Sequence, residues 1–272
     1  IKHNDNLNQI NINQIISILS PLFVSRSIKK IGHNIKYDIS VLKKYGIEVN
    51  SIDDTMLMSL VCNAGAHRHN MDDLAKIYLK RETIKFKDIV GSGKSQITFD
   101  QVDIHTATKY AAEDSEITFK LFQLLQKRII NENNGSIYYN IERPLIDIIL
   151  RMENNGIKID IEHLKFLSSN FLEKINKIEK KIHKIAGKKF NIGSPKQLSE
   201  ILFENMGLKP LKKTKTGDGS TGIEALEDLA YQGHKIADFI IQWRQLAKLR
   251  STYTEALQSH ISNNTGRIHT SY

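Results

Sequence analysis

Two short stretches of this sequence gather residue types suited to metal-assisted chemistry on an anionic substrate. Residues 29–38 read KKIGHNIKYD and residues 110–114 read YAAED. In the first, Ile31 closes a brief apolar run, Gly32 lets the backbone turn, and Asn34 is placed to open a helix carrying Lys36, Tyr37 and Asp38. A donor, a cation, an aromatic ring and a carboxylate then fall within one turn. In the second, Tyr110 and Asp114 stand four apart, so a helix over residues 106–125 points the phenol and the acid the same way. Asp38 and Asp114 are therefore the candidate metal ligands, and all-oxygen donors suit Mg²⁺ or Mn²⁺. A phenol with a pKa near about 10 is a poor base, so Tyr110 is read as a group that orients water. The alternative is a pair of solvated helix acids, with Asp114 paired to a neighbour such as Lys109.

The elements that must position these residues follow from apolar spacing. Residues 9–23 carry a helical stripe that Pro21 is expected to end near Ser20. A strand follows over residues 29–32, then a helix over 35–45 stopped by Gly46, and another from Ile52 and Asp53 through Cys62. Asp53 and Asp54 are read as capping and surface residues, and Asp72 and Asp73 as first-turn acids that cap and do not bind metal. Residues 80–101 form a polar connection in which Phe86 stands among Lys85, Lys87 and Asp88. Its GSGK tip lacks the full phosphate-loop spacing, which excludes nucleotide binding there. His67 and His69, flanking Arg68, lack further ligands for a metal. A long helix over 103–130 carries YAAED, and NENNGS at 131–136 is the best linker in the chain.

Beyond that linker a helix over residues 138–153 ends at Asn155-Gly156, followed by a short strand. Apolar residues at 164, 167, 171, 175, 178, 182 and 185 make one long seam; Phe239, Trp243, Leu246, Leu249, Tyr253 and Leu257 make a second. Two such helices are expected to pack antiparallel with residues 187–232 at their far end.

Charge points to an anionic partner. The net charge is +9, and residues 188–215 hold seven lysines against Glu200 and Glu204, so more than half the excess sits in a tenth of the chain. Phosphate backbone is the expected target. The lone cysteine, Cys62, has no disulfide partner and reads as buried filler in a reducing compartment. No apolar run is long enough to span a membrane and no secretory pattern opens the chain, which leads to the expectation of a soluble cytoplasmic protein.

Asn34-x3-Asp38 followed by Tyr110-x3-Asp114 resembles the second and third motifs of the 3′-to-5′ proofreading exonucleases of the DEDD superfamily, tyrosine subgroup. The surrounding words GHNIKYD, DDTMLMSLV, HNMDDLA, YAAEDSEIT, IERPLIDIILRMENNGIKID, LAKLRSTY and TGRIHTSY run in the order found in the bacterial DNA polymerase I family, family A. The resemblance covers nearly the whole chain. It implies an α/β fold class: an incomplete ribonuclease H-like exonuclease layer over residues 1–132, then the front of a polymerase domain over 133–272, mainly α-helical and including the thumb. It implies two catalytic metal ions held by Asp38 and Asp114 with family co-ligands, water oriented by Tyr110, and a single-stranded 3′ end running past Asn34, Lys36, Tyr37 and Arg68. Phe86, which by sequence is equally a loop anchor or a base platform, is tipped towards stacking. Lys212, Lys213, Lys215, Lys248, Arg250 and His269 become candidate contacts to primer-template duplex, in a protein expected to act as a monomer at the bacterial nucleoid.

The family's first motif is an Asp-x-Glu on the opening strand. No Asp-x-Glu stands before Asp38, where Asp5 is the only acid. The expectation is a chain with both family ends missing, which binds DNA and catalyses little or nothing, and whose first 130 residues are the less stable half. The competing readings are a stand-alone ribonuclease D-like exonuclease and a non-catalytic DNA-binding module.

Overall fold

The computed structural model describes residues 9–210 and 219–272. The chain forms two compact units that divide between Met152 and Glu153.

The first unit opens with α1 (Ile12–Val24), which runs through Pro21 rather than stopping before it. A proline so near the helix end removes one backbone donor only, and its own carbonyl still accepts from the Ser25 N–H at 3.1 Å. Strand β1 (Lys30–Gly32) leads into α2 (Ile35–Lys43), and β2 (Ile52–Asp54) leads into α3 (Thr55–Asn63). The sequence reading had Ile52 and Asp53 opening a helix; they form instead a strand parallel to β1, pairing Lys30 with Ile52 and Gly32 with Asp54. Three residues are too few to display a period of two, which is why the strand was missed. Then come α4 (Met71–Leu74), continued by a wide turn over Ala75–Leu79, α5 (Phe86–Val90), and the long α6 (Ile104–Asn131), capped by the Asp103 carboxylate on the Thr106 N–H. The linker residue Asn133 turns the chain with φ 59°. After α7 (Gly135–Ile137) and the turns of Tyr138–Glu142, α8 (Arg143–Asn155) begins.

The core of this unit is the inner stripe of α6. Ile117, Leu121, Leu125 and Ile129 are completely buried against Met58, Leu74 and Tyr138. Each such burial contributes roughly 1.5–3 kcal/mol, so α6 is held as a fixed wall. On the other side Ile35 and Ile39 of α2 pack on Ile146 and Leu150 of α8.

The second unit pairs β3 (Ile157–Lys158) antiparallel with β4 (Arg267–Ile268). Helix α9 (Ile161–Ala186) ends at Gly187, whose φ of 74° provides the left-handed cap that glycine adopts without cost. Next are α10 (Pro195–Ser199), started by Ser194, α11 (Ile223–Tyr231), α12 (Lys235–Lys248), which continues through the turns of Leu249–Glu255, and α13 (Ala256–Ser259). Helix α9 packs along α12. Their core joins Ile182, Leu198, Leu202, Leu226, Ile236 and Ile240.

Candidate functional site

A cleft of about 460 Å³ opens in the first unit between the β1–α2 junction and α6. Asp38 and Asp114 both line it, with Ile31, Gly32, His33, Met71, Ser115, Thr118 and Phe119. The two carboxylates come from residues 76 positions apart, on the helix that follows β1 and on the wall of α6.

The mouth of α2 explains how Asp38 is set. Asn34 adopts the left-handed conformation (φ 60°, ψ 48°), so its side chain makes no capping bond. The cap comes from β2: Asp54 Oδ1 accepts from the Asn34 N–H at 3.2 Å and Oδ2 from the Ile35 N–H at 2.8 Å. Asn34 thus opens the helix as its sequence position suggests, while the capping bonds come from Asp54. Gly32 is needed where the strands meet the helix, because a Cβ there would lie 2.7 Å from the Ile35 Cβ. Next to Asp54, the buried Asp53 receives the Lys29 ammonium at 2.6 Å, the Tyr138 hydroxyl at 3.1 Å and Arg143 at 3.4 Å.

Asp38 is open to the cleft, yet the protein around it raises its pKa, first by desolvation and then through the Asp54 charge. Asp114 is also raised, chiefly by burial; the Tyr110 hydroxyl opposes that rise, while Asp72 and Glu113 add to it. The Tyr110 hydroxyl is raised in turn by burial and by Asp114. Neighbouring acids are committed elsewhere: Asp72 accepts from the Thr83 hydroxyl at 2.6 Å, and Glu113 holds Arg81 at 2.9 Å and the Ile84 N–H at 2.7 Å. His33, which sequence reading passed over, stands on the cleft wall with Nδ1 2.8 Å from the Thr55 hydroxyl, and burial lowers its pKa. It is neutral near pH 7.

Two carboxylates disfavoured in their charged forms fit a hard divalent cation in kind. In number they fall short: among the described residues, no group of three or more His, Cys, Asp or Glu is arranged to hold a metal ion.

Of the strand-contact candidates, Asn34 and Arg68 are exposed, Tyr37 is 67% exposed, and Lys36 is half-buried. Phe86, 47% exposed, stacks on Phe99 with ring centroids 5.9 Å apart, and both rings lie 6.1 Å from that of Tyr110. The polar connection is thus folded back over the tyrosine of YAAED. His67 and His69 lie against each other with centroids 4.9 Å apart, and Cys62 is half-buried.

In the second unit Lys212, Lys213 and Lys215 lie outside the described residues. Lys248 is exposed, whereas Arg250 is half-buried and paired with Glu255 at 2.6 Å. His269 is locked internally: its Nδ1 donates to the Glu153 carbonyl at 2.8 Å, leaving Nε2 to accept from the Thr265 hydroxyl at 2.7 Å. A cation that the sequence reading missed is Arg244, half-buried in a cavity of about 520 Å³ with Gly193, Pro195, Ser220, Thr221 and Trp243. It donates to the Thr221 carbonyl, and no carboxylate among the described residues offsets the burial that lowers its pKa. Its position four residues before Lys248 was the available signal, since that spacing shares a helix face.

Residues 3–130 match the family model for 3′-5′ exonuclease, and residues 161–272 match that for DNA polymerase family A. The chain is 46% identical over 265 residues to DNA polymerase I of Rhizobium leguminosarum, covering 97% of this chain and 26% of the relative. It is 41% identical to DNA polymerase I of Pseudomonas aeruginosa, covering 97% of this chain and 29% of the relative. The chain thus spans between a quarter and a third of these relatives' length. A solved structure described as the POL domain of Pol1 from M. smegmatis, in complex with DNA primer-template and dNTP, aligns with a TM-score of 0.74 and 25% identity over 94% of this chain and 41% of that one. Among the described residues no helix is long and apolar enough to cross a membrane.

Proposed function

We propose that this chain, which matches an exonuclease family model ahead of a polymerase family A model and resembles bacterial DNA polymerase I over nearly its whole length, supplies the proofreading cleft and the thumb of a DNA-synthesising and DNA-repairing enzyme. In this reading residues 1–132 are the rear of a ribonuclease H-like editing domain and residues 133–272 are the front of the polymerase domain. The observation that carries it is the shared cleft of Asp38 and Asp114.

At that cleft Asp38 and Asp114 would hold divalent cations, Mg²⁺ or Mn²⁺, which would supply water activation and charge stabilisation at the leaving oxygen. Tyr110, one helical turn before Asp114, would present its hydroxyl towards the water that attacks the last phosphodiester. Its raised pKa keeps the phenol protonated, so it orients and does not deprotonate. Asn34, Lys36, Tyr37 and Arg68 guide a frayed 3′ strand, and Phe86, backed by Phe99, offers a face for a base.

The thumb reading rests on α9 and α12. The Lys181 ammonium sits over the Phe239 ring at 5.2 Å, joining late α9 to early α12, while Ser168 near the start of α9 bonds Glu255 beyond the end of α12. Those two contacts support an antiparallel pair. Lys248 and Arg244, with the lysines at 212, 213 and 215, then bind the backbone of primer-template duplex, the kind of DNA held by the M. smegmatis relative, while Arg250 contributes less because Glu255 pairs with it and His269 is taken up by Glu153 and Thr265. The protein acts as a cytoplasmic monomer on nucleoid DNA.

Asp38 and Asp114 are two ligands, and these 272 residues contain no Asp-x-Glu ahead of them. The chain by itself therefore binds DNA and degrades it negligibly. A labelled primer incubated with the chain in Mg²⁺ or Mn²⁺ tests this; robust shortening that Asp114→Ala abolishes would establish a self-sufficient nuclease instead.

A further inference from the structure

We propose that Asp54 is the positioning residue of the cleft: one buried carboxylate caps α2 and α3 together and thereby fixes where Asp38 stands. The inference rests on the reading of that cleft as the editing site. Asp54 is 1% exposed. Its Oδ1 accepts from the Met56 and Leu57 N–H groups of α3 at 2.8 and 3.3 Å, and from the Asn34 N–H at 3.2 Å; its Oδ2 accepts from the Ile35 N–H at 2.8 Å. Four backbone donors from two helix mouths thus converge on one side chain.

For α3 this is an ordinary local cap. For α2 it comes from 19 positions away, because the left-handed turn at Asn34 carries that residue's own amide clear of the helix mouth. Asp38 follows Ile35 by three residues, so the bonds that fix the first turn of α2 also fix the height and rotation of Asp38. The parallel register sets Asp54 opposite Gly32, and the missing Cβ of Gly32 lets α2 come close enough to be reached. Tyr138 completes the setting by accepting from the Asp54 N–H at 2.8 Å. An anion between two positive helix ends is also electrostatically favoured.

Asp53 provides the matched comparison. It is as buried as Asp54, but its contacts at Lys29, Tyr138 and Arg143 are side-chain groups outside α2. Asp54→Ser keeps a capping hydroxyl for α3 while being too short to span to α2, so it separates the two roles and guards against wholesale unfolding. Asp54→Asn is the isosteric companion, with one acceptor oxygen for four donors.

The test uses the ¹⁵N-labelled 272-residue chain and two readouts: amide hydrogen exchange, and broadening by added Mn²⁺ of signals from Asp38 and Asp114. Asp54→Ser and Asp54→Asn are expected to speed exchange at Asn34, Ile35 and the first turn of α2 by about tenfold or more relative to the α6 core. They should also weaken Mn²⁺ binding several-fold. Asp53→Asn should leave both readouts within about twofold of the parent after its overall stability is taken into account. Unchanged α2 exchange in both Asp54 variants, or equal α2 loosening by Asp53→Asn, overturns the proposal. If Mn²⁺ fails to broaden the two aspartates in the parent, or Asp38→Asn does not diminish the effect, the cleft reading fails, and the exchange data still decide what sets α2.

Discussion

Tyr110 stands one helical turn before Asp114, and its hydroxyl restrains a carboxylate which burial drives towards protonation. Replacing Tyr110 with Phe removes the restraint and leaves burial, Asp72 and Glu113 unopposed. The Asp114 pKa is expected to rise in Tyr110→Phe, read by ¹³C NMR titration of the carboxyl carbon. A fall, or no change, would mean that the phenol does not hold the acid.

Asp38 leads to a stability prediction. Its folded-state pKa lies above the unfolded value, so the native chain binds more protons than the unfolded chain in the window between them. Its contribution to stability is complete below about pH 4 and is lost as pH rises through the folded-state value. Asp38→Asn should therefore melt higher than the parent near pH 7, with the advantage vanishing at about pH 4. Thermal unfolding across that interval checks the sign, and an advantage that grows towards acid contradicts it.

Tyr138 is completely buried, donating to Asp53 at 3.1 Å and accepting from the Asp54 N–H at 2.8 Å. Tyr138→Phe keeps the ring, strands the Asp54 N–H and leaves Asp53 to Lys29 and Arg143, at a cost of about 1–3 kcal/mol. Chemical denaturation followed through signals of the first unit measures it.

Gly32→Ala would put a methyl 2.7 Å from the Ile35 side chain. Relief requires α2 to move off β1, with a cost of about 1–3 kcal/mol and shifts in the amide signals of α2. Gly46→Ala is the contrast: nothing lies within 4 Å of its added Cβ, and its penalty comes from φ 73° alone.

On the thumb, Arg244→Gln and Lys248→Gln should each weaken duplex binding at low salt and reduce the slope of log affinity against log salt by about one. Fluorescence anisotropy on a primer-template duplex over a salt series is the measurement. Arg250→Gln is expected to change the slope less, since Glu255 already neutralises Arg250 at 2.6 Å.

How much of this was legible in the sequence follows from the range of each interaction. Tyr110 and Asp114 share a face because they belong to one helix, and the stripe of Ile117, Leu121 and Leu125 announced that helix through its spacing. The Gly187 cap and the Ser194 start were likewise readable, since each is settled within one turn. The capping expected of Asp54 is present, but the surface position expected of Asp53 and Asp54 is not, since both are buried, and nothing local showed that Asp54 serves a helix 19 residues earlier. Strand β2 stayed hidden because three residues carry too little pattern, and Arg244 because burial beside Thr221 depends on how α12 meets the segment before α11. The sequence by itself determined which side chains exist and which share a helix face, for those depend on backbone geometry repeated every few residues. Only the tertiary structure decided that Asp38 and Asp114 open on one cleft and that Asp54 holds the first of them, because those relations arise where separate elements pack.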